Sequence, residues 1–330
     1  MNKRRRVVLA LGTGAFAPLA AFAQQQTNVR RIGFLGVRSR STPSNPDVYY
    51  DAFVQGMREL GYVEGKNLVI EWRFADGKYE RLPGLAAELV QMKVEVIVTH
   101  GTPPTQMAQR ATSTIPIVTA VVADPVSSGF AASLARPGGN ITGLSDITLD
   151  VSPKRIELLK IIMPTLSHVA ILLNPGNLAH PGTLKIVQAA AQQLRIMVLP
   201  VDALAPEDIE RGFATMKRER AGAVIVASDG FFLGQGRKIA ELAVKHRMPS
   251  MFPYRENVMA GGLMSYGQNL ADLYRRAATY VDKILKGTKP GELPIEQPTR
   301  IHLAINRKTA KALGLKIPQE LLLRADEVIE

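Results

Sequence analysis

Cysteine is absent from all 330 residues, which excludes disulfides, thiolate metal sites and thiol nucleophiles. It also leaves no residue near the amino terminus to which a lipid could be attached through sulfur. Aromatic residues make up 6% of the chain, with a single tryptophan. Lysine and arginine exceed aspartate and glutamate, giving a formal charge of +12, yet the basic residues are dispersed. Without a basic stripe interleaved with aromatics, or zinc-finger spacing, this surplus reads as a solvated basic surface, and a nucleic-acid partner is not expected. Past the first two dozen residues no apolar run is long enough to span a bilayer. There is no GxGxxG, no Walker A sequence, no HExxH pair and no GxSxG elbow, so the sequence offers no cofactor, no metal and no catalytic signature.

What is there begins with Lys3, Arg4, Arg5 and Arg6, followed by an apolar stretch from Val7 to Phe22 and the small residues Ala21 and Ala23. This is the order of a secretory signal peptide, with cleavage expected near Ala23. The consecutive arginines admit the twin-arginine route as well as the general one. The destination expected is the periplasm.

Some 300 remaining residues suit two domains rather than one core. Short apolar runs alternate with amphipathic segments, the pattern of parallel sheets covered by helices. RRIGFLGV, NLVIEWRF, VEVIVT and IPIVTAVV read as strands, and Phe53, Val54, Met57 and Leu60 recur at helical spacing until Gly61 ends the segment. After ARPGGNITGLSD the series restarts with SPKRIELLKIIM, HVAILL, TLKIVQAAAQQL, IMVLPV, AGAVIVA and PSMFP, so the break falls near Gly138 to Ser152. The turns HGTPP and ADPVSSG look most like binding loops. Each follows a strand and has a proline where a helix would open, with Thr102 or Asp124 as the expected N-cap.

RRIGFLG, the block FVQGMRELGYVEGKNLVIEWRFADGKYERLPGLAAELV, THGTPPTQ, DPVSSGFAASLARPGGNITG, LLNPGN and INRKTAKALGLKIPQELLLRADEVIE occur in this order. Together they resemble the ABC transporter substrate-binding protein family that includes the TrpX-like proteins. The resemblance implies a type I periplasmic-binding-protein fold of two doubly wound α/β lobes joined by a three-segment hinge. It implies residues 29–147 plus 262–289 as the N-terminal lobe and 148–261 plus 290–330 as the C-terminal lobe, with GGLMSYG back in the first. It further implies a solute trapped between the lobes, an amino acid or other small carboxylate, delivered by a monomeric receptor to an inner-membrane permease and its ATPase.

In open α/β sheets ligands sit beyond the carboxyl ends of strands. The candidates in the first lobe are therefore Arg38 and Ser39, Thr102 and Pro103, and Asp124 and Pro125. Amides behind Thr102 would suit a carboxylate and Asp124 an ammonium group. The second lobe offers Asn174, Asn177, Ser228, Asp229, Phe231 and Tyr254, and the hinge offers Tyr266. Each has a plainer alternative: Thr102 and Asp124 as caps, Arg38 as a solvated charge, Asn174 and Asn177 as turn formers, one of Phe231 and Phe232 as core, and Tyr266 as hinge packing. Trp72 is read as packing before ligand stacking. Alternative functions are a periplasmic α/β enzyme and a solute sensor for a signalling receptor.

Overall fold

The computed structural model describes residues 29–40, 42 and 47–330; the expected leader, residues 1–23, lies outside them. The first strand, β1 (Arg30–Gly36), leads to α1 (Val48–Glu59), β2 (Leu68–Phe74), α2 (Leu82–Gln91), β3 (Val96–His100), α3 (Thr102–Ala111), β4 (Ile117–Val121) and β5 (Ile141–Gly143). These five strands form one parallel sheet in the order β2-β1-β3-β4-β5. The apolar runs make its centre because both faces are covered: β3 and β4 are buried at every residue.

The second series is α4 (Thr148–Ile162), β6 (His168–Leu173), α5 (His180–Gln193), β7 (Met197–Asp202), α6 (Pro206–Arg218), β8 (Ala223–Val226), α7 (Gly230–Gly234), α8 (Gly236–Lys245), β9 (Ser250–Phe252), α9 (Arg255–Met259) and β10 (Met264–Gly267). The helix α10 (Leu270–Leu285), β11 (His302–Asn306), α11 (Arg307–Ala312), α12 (Gln319–Arg324) and β12 (Glu327–Ile329) complete the chain. The second sheet runs β12-β11-β10-β9-β8-β6-β7, with only the β10–β11 pair antiparallel. The two parallel-sheet α/β lobes are those expected.

Local chemistry sets the helix ends. Asp47 caps α1 by accepting from the amides of Tyr49 and Tyr50 at 3.0 and 3.1 Å, and Asn269 caps α10 through the amide of Asp272. Gly61, at φ +90°, follows the end of α1, and its amide bonds to Arg58, the role expected of it. Helices α1 and α10 approach closely because Gly56 has no side chain: a Cβ there would stand 2.6 Å from the carbonyl oxygen of Arg275.

The boundaries differ from expectation in two places. GGLMSYG does not return to the first lobe: Met264 and Ser265 pair with Met251 and Phe252, and Met264–Gly267 pairs with β11. A four-residue strand fits the middle of either sheet, so its placement depends on partners distant in sequence. The tail also rejoins the second lobe later than Pro290. Leu293 accepts from the Thr142 hydroxyl at 2.7 Å, Ile295 donates to Leu134, and Glu296 bridges to Leu144. The chain therefore crosses between sheets after Leu144, after Gly267 and after Glu296.

Candidate functional site

The carboxyl ends of the strands in the two lobes face one another, and the seam between them is closed. Leu35, Val37 and Ala75 of the first lobe share one apolar cluster with Val226, Phe231 and Phe232 of the second. At the centre of the seam is a cavity of about 20 Å³, room for roughly one water molecule. Its first-lobe wall includes His100, Thr102, Pro103 and Val121, its second-lobe wall Asn177, Ser228, Asp229 and Tyr254, and Asp146 enters from the first crossover. A groove of about 1120 Å³ opens beside it, lined in part by Arg38, Ser39 and Phe231.

Asp229 is the polar centre of the second wall. It caps α7 by accepting from the Phe231 amide at 2.9 Å, and it accepts from Asn177 at 2.8 Å and Asn174 at 3.4 Å. Tyr79, from the first lobe, donates its phenol at 2.7 Å and so ties the lobes together. Burial and the adjacent Asp229 carboxylate hold the Tyr79 phenol well above the usual range, so it remains a donor. His180 supports this wall from behind. Its Nδ1 accepts from the Asn174 amide at 2.7 Å, which leaves Nε2 to donate to the Ser228 carbonyl at 3.2 Å. Ser228 and Tyr254 share a hydrogen bond of 2.6 Å between their hydroxyls.

Arg38 is not a solvated loop charge. Its guanidinium makes two hydrogen bonds to Asp47, at 2.8 and 2.9 Å, and stands 4.9, 4.7 and 5.8 Å from the rings of Tyr49, Tyr50 and Tyr274. Burial raises the Tyr50 phenol to about 12. Phe34 at 5.2 Å and Trp72 at 5.6 Å border the same cage, which is the packing role expected for Trp72.

His100 is 4% exposed, lies tilted against the Tyr274 ring at 5.2 Å, and its Nδ1 has no hydrogen-bond partner. Burial and the nearby Arg38 charge hold this imidazole well below its ordinary range. The sign follows: between the lowered value and the ordinary one, about 6.5, the opened or unfolded chain binds the extra proton. His100 thus contributes stability above that ordinary value and loses it as the pH falls, by up to about 1.4 kcal/mol per unit. We expect thermal midpoints measured from pH 7.5 to 5 to fall more steeply for the wild type than for His100→Gln. Parallel curves would contradict this.

Three expectations fail. Thr102 is the first residue of α3, and Gly101, at φ +87°, precedes it as the cap. Pro103 and Pro104 have no N–H, and the Thr105 amide donates to Gly101, so Thr102 alone offers a free amide instead of a row of them. Asp124, at φ +36°, opens no helix. Its carboxylate accepts from the Ser127 amide, and the turn closes through the Ser128 amide to Asp124 and the Phe130 amide to Pro125, with Gly129 at φ +73° redirecting the chain between them. Neither Asp124 nor Pro125 lines the cavity, so the ammonium role expected of Asp124 is lost. Tyr266 also stands apart: its carbonyl accepts from Arg155 at 2.8 Å and its ring packs into the second lobe.

Of the remaining candidates, Thr102, Pro103, Asn177, Ser228, Asp229 and Tyr254 meet at the cavity, while Asn174 is buried behind Asp229. Sequence reasoning missed Tyr79, Asp146 and Tyr274. Asp146 sits in the very segment read as the lobe boundary, GLSD, which was its available signal.

Two α/β lobes, three crossovers and a polar seam at the strand ends define a two-lobed solute-binding protein. A family model described as ABC transporter substrate binding protein matches residues 42–329. The chain belongs to that family: it is the substrate-binding protein of an ABC transporter, and the family's role is to deliver a small ligand to the membrane components. Family members are typically periplasmic or extracellular. A tyrosine-binding protein from Clostridioides difficile is 22% identical over 298 residues, covering 90% of this chain and 85% of the relative. A conserved domain protein from Vibrio cholerae superposes with a TM-score of 0.84 at 27% identity, covering 91% of this chain and 99% of the other. An ABC domain from Streptococcus pneumoniae in complex with L-tryptophan gives 0.83 at 25% identity, with the same coverage.

Proposed function

We propose that this chain is the exported, monomeric receptor of an importer for an aromatic amino acid. It binds the solute between its lobes and presents the closed form to an inner-membrane permease. The observation that carries the reading is the seam itself: polar groups from both lobes converge on one cavity, and the Tyr79–Asp229 hydrogen bond joins the walls directly. At about 20 Å³ the gap is too small for an amino acid, so entry requires the lobes to part about the three crossovers. A ligand touching both walls then favours closure by its extra contacts in that state. The tyrosine-binding and tryptophan-bound relatives support the ligand class. Binding without turnover is favoured because the cleft histidine, His100, has no hydroxyl partner to activate.

The test is a thermal-shift and calorimetric titration with L-tyrosine and L-tryptophan, followed by chromatography of the recovered compound. One of them, at 100 times its dissociation constant, should stabilise the protein by about 2.7 kcal/mol and be recovered unchanged. Failure of both to bind would overturn the aromatic reading, and chemical conversion would overturn the receptor reading.

A further inference from the structure

Two carboxylates line the central cavity, Asp146 and Asp229, and no lysine or arginine does. Their surroundings differ. Asp229 is saturated by Tyr79, Asn177, Asn174 and the Phe231 amide, so its role is to hold the walls. Asp146 is 8% exposed and accepts the Thr148 amide at 3.2 Å. Among the described residues no ion pair within 4.0 Å reaches it. Arg155 is buried near enough to favour the charged carboxylate, yet its Nε donates to the Tyr266 carbonyl and its Nη2 has no partner. Desolvation raises the Asp146 carboxyl above its usual range, outweighing the Thr148 amide, the Ser228 hydroxyl and the Arg155 charge, which favour its ionised form. The same small cavity is lined by buried His100, whose Nδ1 has no partner.

The position of Asp146 gives it a second property. Its amide donates to Val122 of the first lobe at 2.9 Å, and its carboxylate receives the amide at the start of α4 in the second. It therefore belongs to the crossover about which the lobes must part. A cation bound there contacts the hinge rather than either wall alone.

We propose that Asp146 is the specificity-determining residue that reads the α-ammonium group of the ligand at the hinge. The ligand carboxylate is left to the neutral donors Thr102 and Tyr254. This rests on the amino-acid reading and deepens it. With no cation on the cavity wall, a compound that keeps the ammonium and lacks the carboxylate is tolerated. One that keeps the carboxylate and lacks the ammonium is rejected, because it brings an anion to a buried carboxylate that has no ion-pair partner.

The experiment titrates wild type and Asp146→Asn with L-tryptophan, L-tyrosine, tryptamine and indole-3-propionate by calorimetry, with circular dichroism and the unliganded melting curve as folding controls. For wild type, the amino acid and the amine bind, and indole-3-propionate binds at least about 30-fold more weakly. In Asp146→Asn the amino acid weakens by at least about 30-fold while indole-3-propionate binds as well as before or better. That opposite movement of two ligands is something a loss of packing would not produce. Unchanged amino-acid binding in Asp146→Asn, or equal loss of every compound, overturns the assignment while leaving the receptor reading intact. A wild type blind to both amino acids overturns the ligand class, and this assignment with it.

Discussion

Asp229→Ala lowers the thermal midpoint strongly, and it loosens the lobes at the same time. The side chain is fully buried and satisfies Tyr79, Asn177, Asn174 and an amide of α7. Removing it costs the helix cap, about 1 kcal/mol, and leaves several buried donors unsatisfied at about 1–3 kcal/mol each. A net loss of about 4 kcal/mol is expected after relaxation, or roughly 8–16 °C for lobes of this size. Tyr79→Phe separates the two effects, because it removes only the bond between lobes. It should cost about 1 kcal/mol and shift the open-to-closed ratio roughly fivefold, visible as a larger radius of gyration in small-angle scattering. A midpoint within 1–2 °C of wild type for Asp229→Ala would show that the wall is held by something else.

Arg38→Ala is the second large effect. Its guanidinium joins the end of β1 to Asp47 at the start of α1 and to Tyr274 on α10, at 3.3 Å. Its loss strips the partly buried Asp47 carboxylate of its guanidinium and leaves a void among three tyrosine rings. Breaking a buried pair from one side costs about 3–5 kcal/mol; with Asp47 15% exposed the cost falls to the lower end, and the loss of ring contacts adds to it. Arg38→Lys keeps the charge and gives up the two-pronged geometry, so it should fall between alanine and wild type. Differential scanning calorimetry checks both. Equal midpoints for lysine and alanine would mean that charge contributes nothing there.

These two residues also show what could be read along the chain. Arg38 and Asp229 each follow a strand, and position after a strand is a local property. Their partners were not foreseen. Asp47 is nine residues from Arg38, while Tyr274 lies 236 residues away. Tyr79 reaches Asp229 across 150 residues. No periodicity encodes such pairings.

The turns differ for a related reason. HGTPP and ADPVSSG carry the same local signal, a proline after a polar residue at a strand end. In the first, Gly101 takes the left-handed conformation and a helix follows. In the second, Asp124 takes it, and the chain closes into a short turn that ends at Gly129. Whether that proline starts a helix depends on the room beyond it, which the neighbouring elements set.

By itself the sequence determined the alternation of strand and helix, the two-lobed α/β class, the absence of thiol chemistry and the family. All follow from short-range pattern, composition and motifs in order. Only the tertiary structure decided that β10 belongs to the second sheet, that Asp124 stands off the cavity and that Asp146 stands on it. It also decided that Tyr79 locks to Asp229. Each of these depends on pairing between residues far apart in the chain, where packing and hydrogen-bond satisfaction select one arrangement among several that local preference permits equally.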